Sequence, residues 1–450
     1  MSGDYIDFIP EMKQEILDRY PVLPLWADLL SCTTLSSVIS KDTFFHNKYG
    51  DNRMNHWVSF FAPSGDFKSA PIDEVVVPMI RYVGKRTERY FILPSIASTV
   101  EGMIKYFGQI EEDKRVGLIV RDELTTFFKE SQYKDYLTDE MEIYSKMYDG
   151  KIYPRETMQF STKDVMEVCT SLVGATTPKY LYDVMPLQFF FQGCGNRFCY
   201  VRQDAPTKGK YTDEDLFVHE PPKWSKEHTL SEDLVRLCGP LIKASQTRYT
   251  IVIDVNAEKI STEFRNKREE LKRSIPEDSW DSFKREYISR DWQKSLKFAQ
   301  SHCYSRDFLR PAYEKASTIM LLPEDIEWGQ NIVLQCYDHF EKVVKEWRDH
   351  VITERPKSTI NRNINAVYAL GIVKSFKEVS QTRLGLEIGD SNFGPKFYGA
   401  IRPLLEAGCI SKIEDSNYVR LKGIDWMNEM MIDPNFSRPP VIYKFEKKLP

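Results

Sequence analysis

No run of apolar residues in this chain approaches the ~18–20 needed to cross a bilayer. The opening residues, MSGDYIDFIPEMKQEI, bring in acids early and hold no apolar stretch of a secretion signal. A membrane span and export are therefore not expected, and the expected compartment is the cytoplasm. A large charge of one sign is also missing. The formal net charge is -4, so nucleic acid would have to be held by local patches, not by a global basic field. Eight cysteines are scattered along the chain with no CxxC pair among them, which argues for reduced, mostly buried thiols. Cys194 and Cys199, in CGNRFC, have no His or Cys partners at zinc spacing. Internal repeats and low-complexity tracts are absent too.

What is present is a 450-residue chain, 42% hydrophobic and 28% charged. That balance suits a globular protein with a sizeable core and two to four domains. Residues 1–50 read as an N-terminal helical region, from EMKQEILDRY and PLWADLLSCTTLSSVI. WVSFF (57–61), RYFILP (89–94), RVGLIVRDE (115–123), MEVCTSLVGATTP (166–178) and the end of LQFFFQGCGNRFCYV (187–201) are strand candidates. Between them lie helical stretches: IDEVVVPMIRYV (72–83) with Pro78 inside it, STVEGMIKYFGQ (98–109) and YLTDEMEIYSKMYDGK (136–151). Apolar strands alternating with helices predict an α/β core with a mostly parallel sheet over 51–205. A polar linker (203–224) leads to a mainly helical appendage over 225–350 with one strand, RYTIVIDV (248–255). A second linker (355–363), a domain over 364–425 and a tail, 426–450, complete the chain.

FFAPSGDFKSAP (60–71) carries an altered phosphate-binding pattern. In G-x-x-x-x-G-K-[ST], backbone N–H groups converge on phosphates, the lysine reaches the β/γ-phosphates and the hydroxyl ligates Mg²⁺. The candidate loop is Ala62, Pro63, Ser64, Gly65, Asp66, Phe67, Lys68 and Ser69. Lys68 and Ser69 keep the last two places, while Ala62 and Phe67 replace the two defining glycines. If position 67 needs a positive φ, a bulky side chain there costs ~1–3 kcal/mol. Asp66 adds negative charge where a polyphosphate would lie. A strand-to-helix turn with an incidental lysine is the competing reading.

Asp122 and Glu123 favour the loop. They end an apolar strand 54 residues after Lys68, where such a site needs one acid for Mg²⁺ (Asp122) and one to orient or deprotonate water (Glu123). Thr176 and Thr177 end a third strand, where they serve either as a γ-phosphate sensor or as a helix cap. Arg197, in GNRF, reads either as an arginine acting in trans on transition-state charge or as a surface arginine.

Taken in order, APSGDFKS, STVEGMIKYF, VGLIVRDEL, EIYSKMYDG, TSLVGATTPKYL and GCGNRFCYV resemble the helicase-type P-loop ATPases of primase–helicase proteins from viruses, plasmids and integrated elements. That family was long filed as a domain of unknown function. The likeness covers about residues 20–205 and extends more weakly to 325. Thr99 and Glu101 in one helix, the acid pair, the YDG helix end, the G-x-T-x-P turn and the glycine–arginine segment carry it. It implies a RecA/AAA-like core, ATP hydrolysis with Mg²⁺ and a hexameric ring around DNA. By carry-over, Lys68 binds nucleotide, Ser69 and Asp122 hold the metal, and Glu123 serves the water. Thr176 or Thr177 is then the sensor and Arg197 the trans arginine. SRDFLRPAYEKASTIMLL (305–322) faintly resembles a helix carrying a second arginine sensor, through Arg306 or Arg310, though an amphipathic packing helix accounts for it as well. With no primase or polymerase domain before residue 50, any priming partner is expected to be a separate chain.

Two segments are candidate DNA contacts. YDGKIYPRETMQFSTK (148–163) interleaves Lys151 and Arg155 with Tyr153 between the acid-pair strand and the sensor strand, where ring helicases place a pore hairpin. A solvated hairpin is the plainer alternative. Near the C-terminus, helix, helix, helix and a two-stranded wing follow in order, with the wing's turn at Asp415–Ser416–Asn417. This predicts a winged helix whose third helix offers Lys396, Tyr398 and Arg402 to DNA, or whose surface binds protein instead. The expectation is an ATP-dependent DNA helicase or translocase of mobile-element replication. The alternatives are a slow or non-hydrolysing replication initiator or loader, and a defence-system NTPase.

Overall fold

Apolar residues at helical spacing, Phe8, Ile9, Met12 and Ile16, are buried along one face of α1 (Phe8–Arg19). The next helix, α2 (Pro24–Ser36), is apolar all round and buried from Leu25 to its end. Its hydroxyls satisfy themselves: Ser31, Thr33 and Thr34 donate to the carbonyls of Ala27, Leu29 and Leu30. Asp28, the acid in this helix, pairs with Lys13 at 2.7 Å. The computed structural model describes residues 6–48, 50–93, 100–121, 124, 138–153, 165–185, 193–204, 230–276, 282–308, 318–350, 369, 378–388, 395–406, 410–413 and 442–445.

After α2 come β1 (Phe44–Asn47), β2 (Gly50–Arg53) and β3 (Trp57–Phe61), then a π-helical turn (Ile72–Val76) running into α3 (Val77–Thr87). Next are β4 (Ile92–Leu93), α4 (Val100–Gln109), β5 (Val116–Arg121), α5 (Thr138–Tyr148), β6 (Lys151–Ile152), β7 (Met166–Glu167), β8 (Cys169–Thr176), α6 (Pro178–Val184) and β9 (Phe198–Arg202). A further series follows: α7 (Glu232–Gln246), β10 (Thr250–Ile253), α8 (Val255–Ser274), α9 (Ser282–Cys303), β11 (Thr318–Leu321) and α10 (Pro323–Asp349). Residues 1–343 and 344–450 form separate units.

The first unit is built on a five-stranded, all-parallel sheet in the order β4-β5-β8-β3-β9. Every residue of β3 and β8 is buried, as expected of central strands covered on both faces. Trp26 of α2 stacks on Phe60 of β3 with ring centroids 4.7 Å apart. A second sheet, in the order β11-β10-β1-β2, is parallel except for the β1–β2 hairpin. β1 and β11 fall in stretches read from sequence as helical, the latter in the segment 305–322. In that segment Arg306 is committed to Glu324 and Asp325, at 2.8 and 3.0 Å, and Arg310 lies outside the described residues. The hairpin expected after Tyr148 exists at its base, where β6 and β7 pair antiparallel.

Pro78 does disturb its helix, at the turn before it. Its ring would meet the carbonyl four residues back and it has no N–H to donate. The chain accommodates this with a wider turn, in which the Val77 N–H bonds the Ile72 carbonyl, five residues back.

In the second unit, β12 (Glu378–Ser380), α11 (Gln381–Ile388), α12 (Pro395–Glu406), β13 (Ile410–Ile413) and β14 (Ile442–Phe445) occur in that order. The strands form an antiparallel sheet, β12-β14-β13. The strand beside β13 is thus drawn from the expected tail, and the predicted turn at 415–417 lies outside the described residues. Among the described residues no helix is long and apolar enough to cross a membrane.

Candidate nucleotide site

In a parallel sheet, ligands settle beyond the carboxyl ends of strands whose connections leave in opposite directions. Here β3 and β8 are neighbours. The chain leaving β3 crosses past β8 and β5 to reach β4, whereas the chain leaving β8 passes over β3 to reach β9. The position between their ends is therefore fixed by topology, and the segments that lead out of the two strands, 62–69 and 177, lie there.

The loop is tied to both flanking strands. The Ala62 N–H donates to Thr176 O at 3.2 Å, and the Gln203 N–H donates to Phe61 O at 2.9 Å. At its far end the Ser69 carbonyl accepts from the N–H groups of Ile72 and Asp73, at 2.9 and 3.0 Å, and so opens the helix. Gly65 has φ +94° and Phe67 φ +48°. Two alternate residues of the loop take backbone conformations that favour glycine, with a residue of negative φ between them. Position 67 thus does have the positive φ that glycine tolerates, and a phenylalanine adopts it. Its ring is 44% exposed and lies 6.3 Å, centroid to centroid, from that of Tyr20. Tyr20 donates to Glu74 Oε2 at 2.6 Å; burial and that carboxylate push its hydroxyl pKa up.

Lys68 Nζ donates to Thr177 Oγ1. Thr177 stands at the N-cap position of α6 but makes no side-chain cap there, so its hydroxyl is turned to the lysine instead. Thr176 is fully buried. Asp66 is the discordant group. One carboxyl oxygen, Oδ2, is buried and has no hydrogen-bond partner among the described residues. Burial raises its pKa, while Lys68 and Arg202 pull it back down. Arg202, at the end of β9, is a residue the motif reading missed. An arginine directly after the apolar run FCYV was its signal.

Asp122 and Glu123 lie outside the described residues, as do Thr99 and Arg155. The strand they follow is in place: Arg121 ends β5 opposite Gly174 of β8. Leu124 packs against the same glycine so closely that a Cβ at 174 would sit 2.6 Å from Leu124 Cγ. The glycine of GATT is thus a contact point between the acid-pair segment and the threonine strand. Arg121 itself turns to Tyr144 Oη at 2.9 Å.

Arg197 is not brought to this end of the sheet. It lies at the start of β9, the opposite end of the sheet, with its side chain 7% exposed. Its guanidinium donates to Asp149 Oδ2 at 2.5 Å and to Gly193 O at 2.6 Å. The surface-arginine alternative is corrected by this burial, and a role in trans would first require breaking the pair. Lys151 and Tyr153 do sit on the hairpin base, with Lys146 Nζ 4.8 Å from the centre of the half-exposed Tyr153 ring. On α12, Phe397, Ala400, Ile401 and Leu404 are buried, and Lys396, Tyr398 and Arg402 are exposed.

No protein-family model matches the chain, and no curated protein matches it.

Proposed function

We propose that this chain is a Mg²⁺–ATP-dependent DNA translocase or helicase with a RecA/AAA-like core, of the kind that serves replication of mobile elements. The observation that carries the reading is the meeting of Lys68 with Thr177 beyond the ends of β3 and β8. A loop lysine and a strand-end hydroxyl converge there from two neighbouring strands, as a γ-phosphate site requires. The sheet order supports it: the threonine strand β8 lies between the loop strand β3 and the acid-pair strand β5. Lys68 then gives up its bond to Thr177 in favour of the β/γ-phosphate oxygens, and Thr177 is left to donate to the γ-phosphate or the attacking water. The donor set for a metal is Ser69 with Asp122, and Mg²⁺ there would neutralise charge developing between the β- and γ-phosphates. Glu123 orients the water. The second unit fits a winged helix, since α11 and α12 lie between β12 and β13 and the sheet order is β12-β14-β13. Its α12 presents Lys396, Tyr398 and Arg402 as a DNA-reading face.

A second reading, a slow nucleotide-binding initiator or loader, is favoured by Phe67 and Asp66, which strain the loop and set a carboxylate against a polyanion. Turnover assays with and without single-stranded DNA separate the two. For a motor, DNA stimulates hydrolysis and Lys68→Ala lowers it ~10²-fold, the scale of losing one charge-stabilising donor. DNA binding without turnover supports the initiator, and unchanged turnover in Lys68→Ala removes the site from both readings.

A further inference from the structure

At the end of α3 remote from the loop, a cavity of about 610 Å³ opens between the last turns of the helix and the chain leading into β4. Two features shape it. Arg89 N–H bonds back to Gly84 O at 3.0 Å, an approach so close that a Cβ at 84 would stand 2.5 Å from Arg89 O. Glu88 takes a left-handed φ of +56° to close the helix. Together they turn the chain sharply and leave Tyr90 standing 89% exposed at the rim.

The charges on the walls are mostly of one sign. Arg81, Lys85 and Arg89 line the cavity against a single acid, Glu88. Arg89 is held in place by Asp113 at 3.1 Å and by Ser245 O at 3.4 Å. Arg81 and Lys85 are exposed and make no ion pair among the described residues. Four residues apart on one helix, they project side by side. A helix C-terminus favours cations in its last turn, which accounts for Lys85. It accounts neither for Arg81, a turn earlier, nor for an aromatic ring left almost wholly in water.

We propose that this groove binds single-stranded nucleic acid, with Arg81 and Lys85 on successive phosphates and Tyr90 under an unstacked base. An acidic peptide would satisfy the cations but leave the ring face unused, and a duplex keeps its bases stacked away from it. A single strand uses both groups at once. The groove shares no residue with the hairpin or with α12, and its binding does not require nucleotide turnover at Lys68.

The test is fluorescence anisotropy of a labelled oligothymidylate with the full chain over a salt titration. Arg81→Ala and Lys85→Ala should each flatten the slope of log K against log salt by about 0.7, one phosphate contact on a single strand. Tyr90→Ala should weaken binding about tenfold, the size of a lost base–aromatic stack, and Tyr90→Phe should restore it. An oligonucleotide carrying 5-bromouracil should crosslink on irradiation to the peptide that contains Tyr90. Unchanged slopes with crosslinks only elsewhere would overturn the proposal, as would equal losses in Tyr90→Phe and Tyr90→Ala. Turnover of ATP is read separately in the same variants without DNA. A failure of the motor reading therefore leaves this result intact, and the reverse holds.

Discussion

At residue 67 one side chain concentrates the question of what the loop does. A left-handed φ on a phenylalanine costs ~1–3 kcal/mol, and that cost is partly offset by contact with the Tyr20 ring. Glycine removes the strain and the contact together, whereas alanine removes the contact and keeps the strain. Phe67→Gly is therefore expected to hold thermal stability at or above that of the parent, and Phe67→Ala to lower it by ~1 kcal/mol. If the strain also limits the loop's fit to phosphates, Phe67→Gly binds ATP more tightly in a titration and Phe67→Ala does not. Equal stability in the two variants would show that the backbone at 67 stores nothing. The glycines missing from the motif were legible in the sequence. What was not legible is that the chain keeps the glycine conformation regardless, because hydrogen bonds from Ala62 at one end and to Ser69 at the other pin the loop.

Among the elements, α9 is the one whose chemistry the sequence hid. Its sequence, SFKREYISRDWQKSLKFAQSHC, reads as a charged surface helix, yet Asp291, Lys294 and Lys297 are all buried. Lys294 donates to Phe198 O at 3.0 Å, and Lys297 reaches Asn55 Oδ1 at 2.5 Å with its ammonium over the Tyr148 ring. These bonds fasten α9 to the starting ends of β3 and β9 and to the base of the hairpin. Burial holds the Lys297 pKa down at about 7. The unfolded chain keeps this proton until about pH 10.4, so between the two values unfolding takes up a proton and stability rises with pH, by up to ~1.4 kcal/mol per unit. Thermal midpoints from pH 7 to 9 should thus climb more steeply in the parent than in Lys297→Met; parallel profiles would mean that the lysine stays charged in the folded protein. The central strands were readable for the opposite reason. WVSFF and VGLIV are covered on both faces, so their runs are apolar without alternation, Ser59 apart. FFHN and GDNR, in β1 and β2, are short and half exposed; they owe their strand form to pairing with each other and, for β1, with β10, 206 residues further on, which no local pattern records.

For the whole molecule, the open step is from one chain to a ring. A ring motor needs an arginine from a neighbouring subunit at each nucleotide, and the residue that sequence order points to, Arg197, is clasped by Asp149 within its own chain. The two roles leave different marks. As a structural clamp, Arg197→Ala leaves the partly buried Asp149 carboxylate short of its charged donor and lowers stability by about 1–3 kcal/mol, with nucleotide turnover falling only as far as unfolding does. Arg290, 3.6 Å from the same carboxylate, limits the loss. As a group acting across a subunit boundary, the same substitution spares the thermal midpoint, abolishes DNA-stimulated turnover and leaves assembly intact. Light scattering of the parent with ATP and single-stranded DNA supplies the frame for that comparison. A hexameric mass is the expected result, and a monomer under those conditions would rule out any arginine in trans. The clamp is the outcome the geometry favours, because the two terminal nitrogens of the guanidinium are already engaged, by Asp149 and Gly193, and the Tyr148 ring stands 5.9 Å from its central carbon.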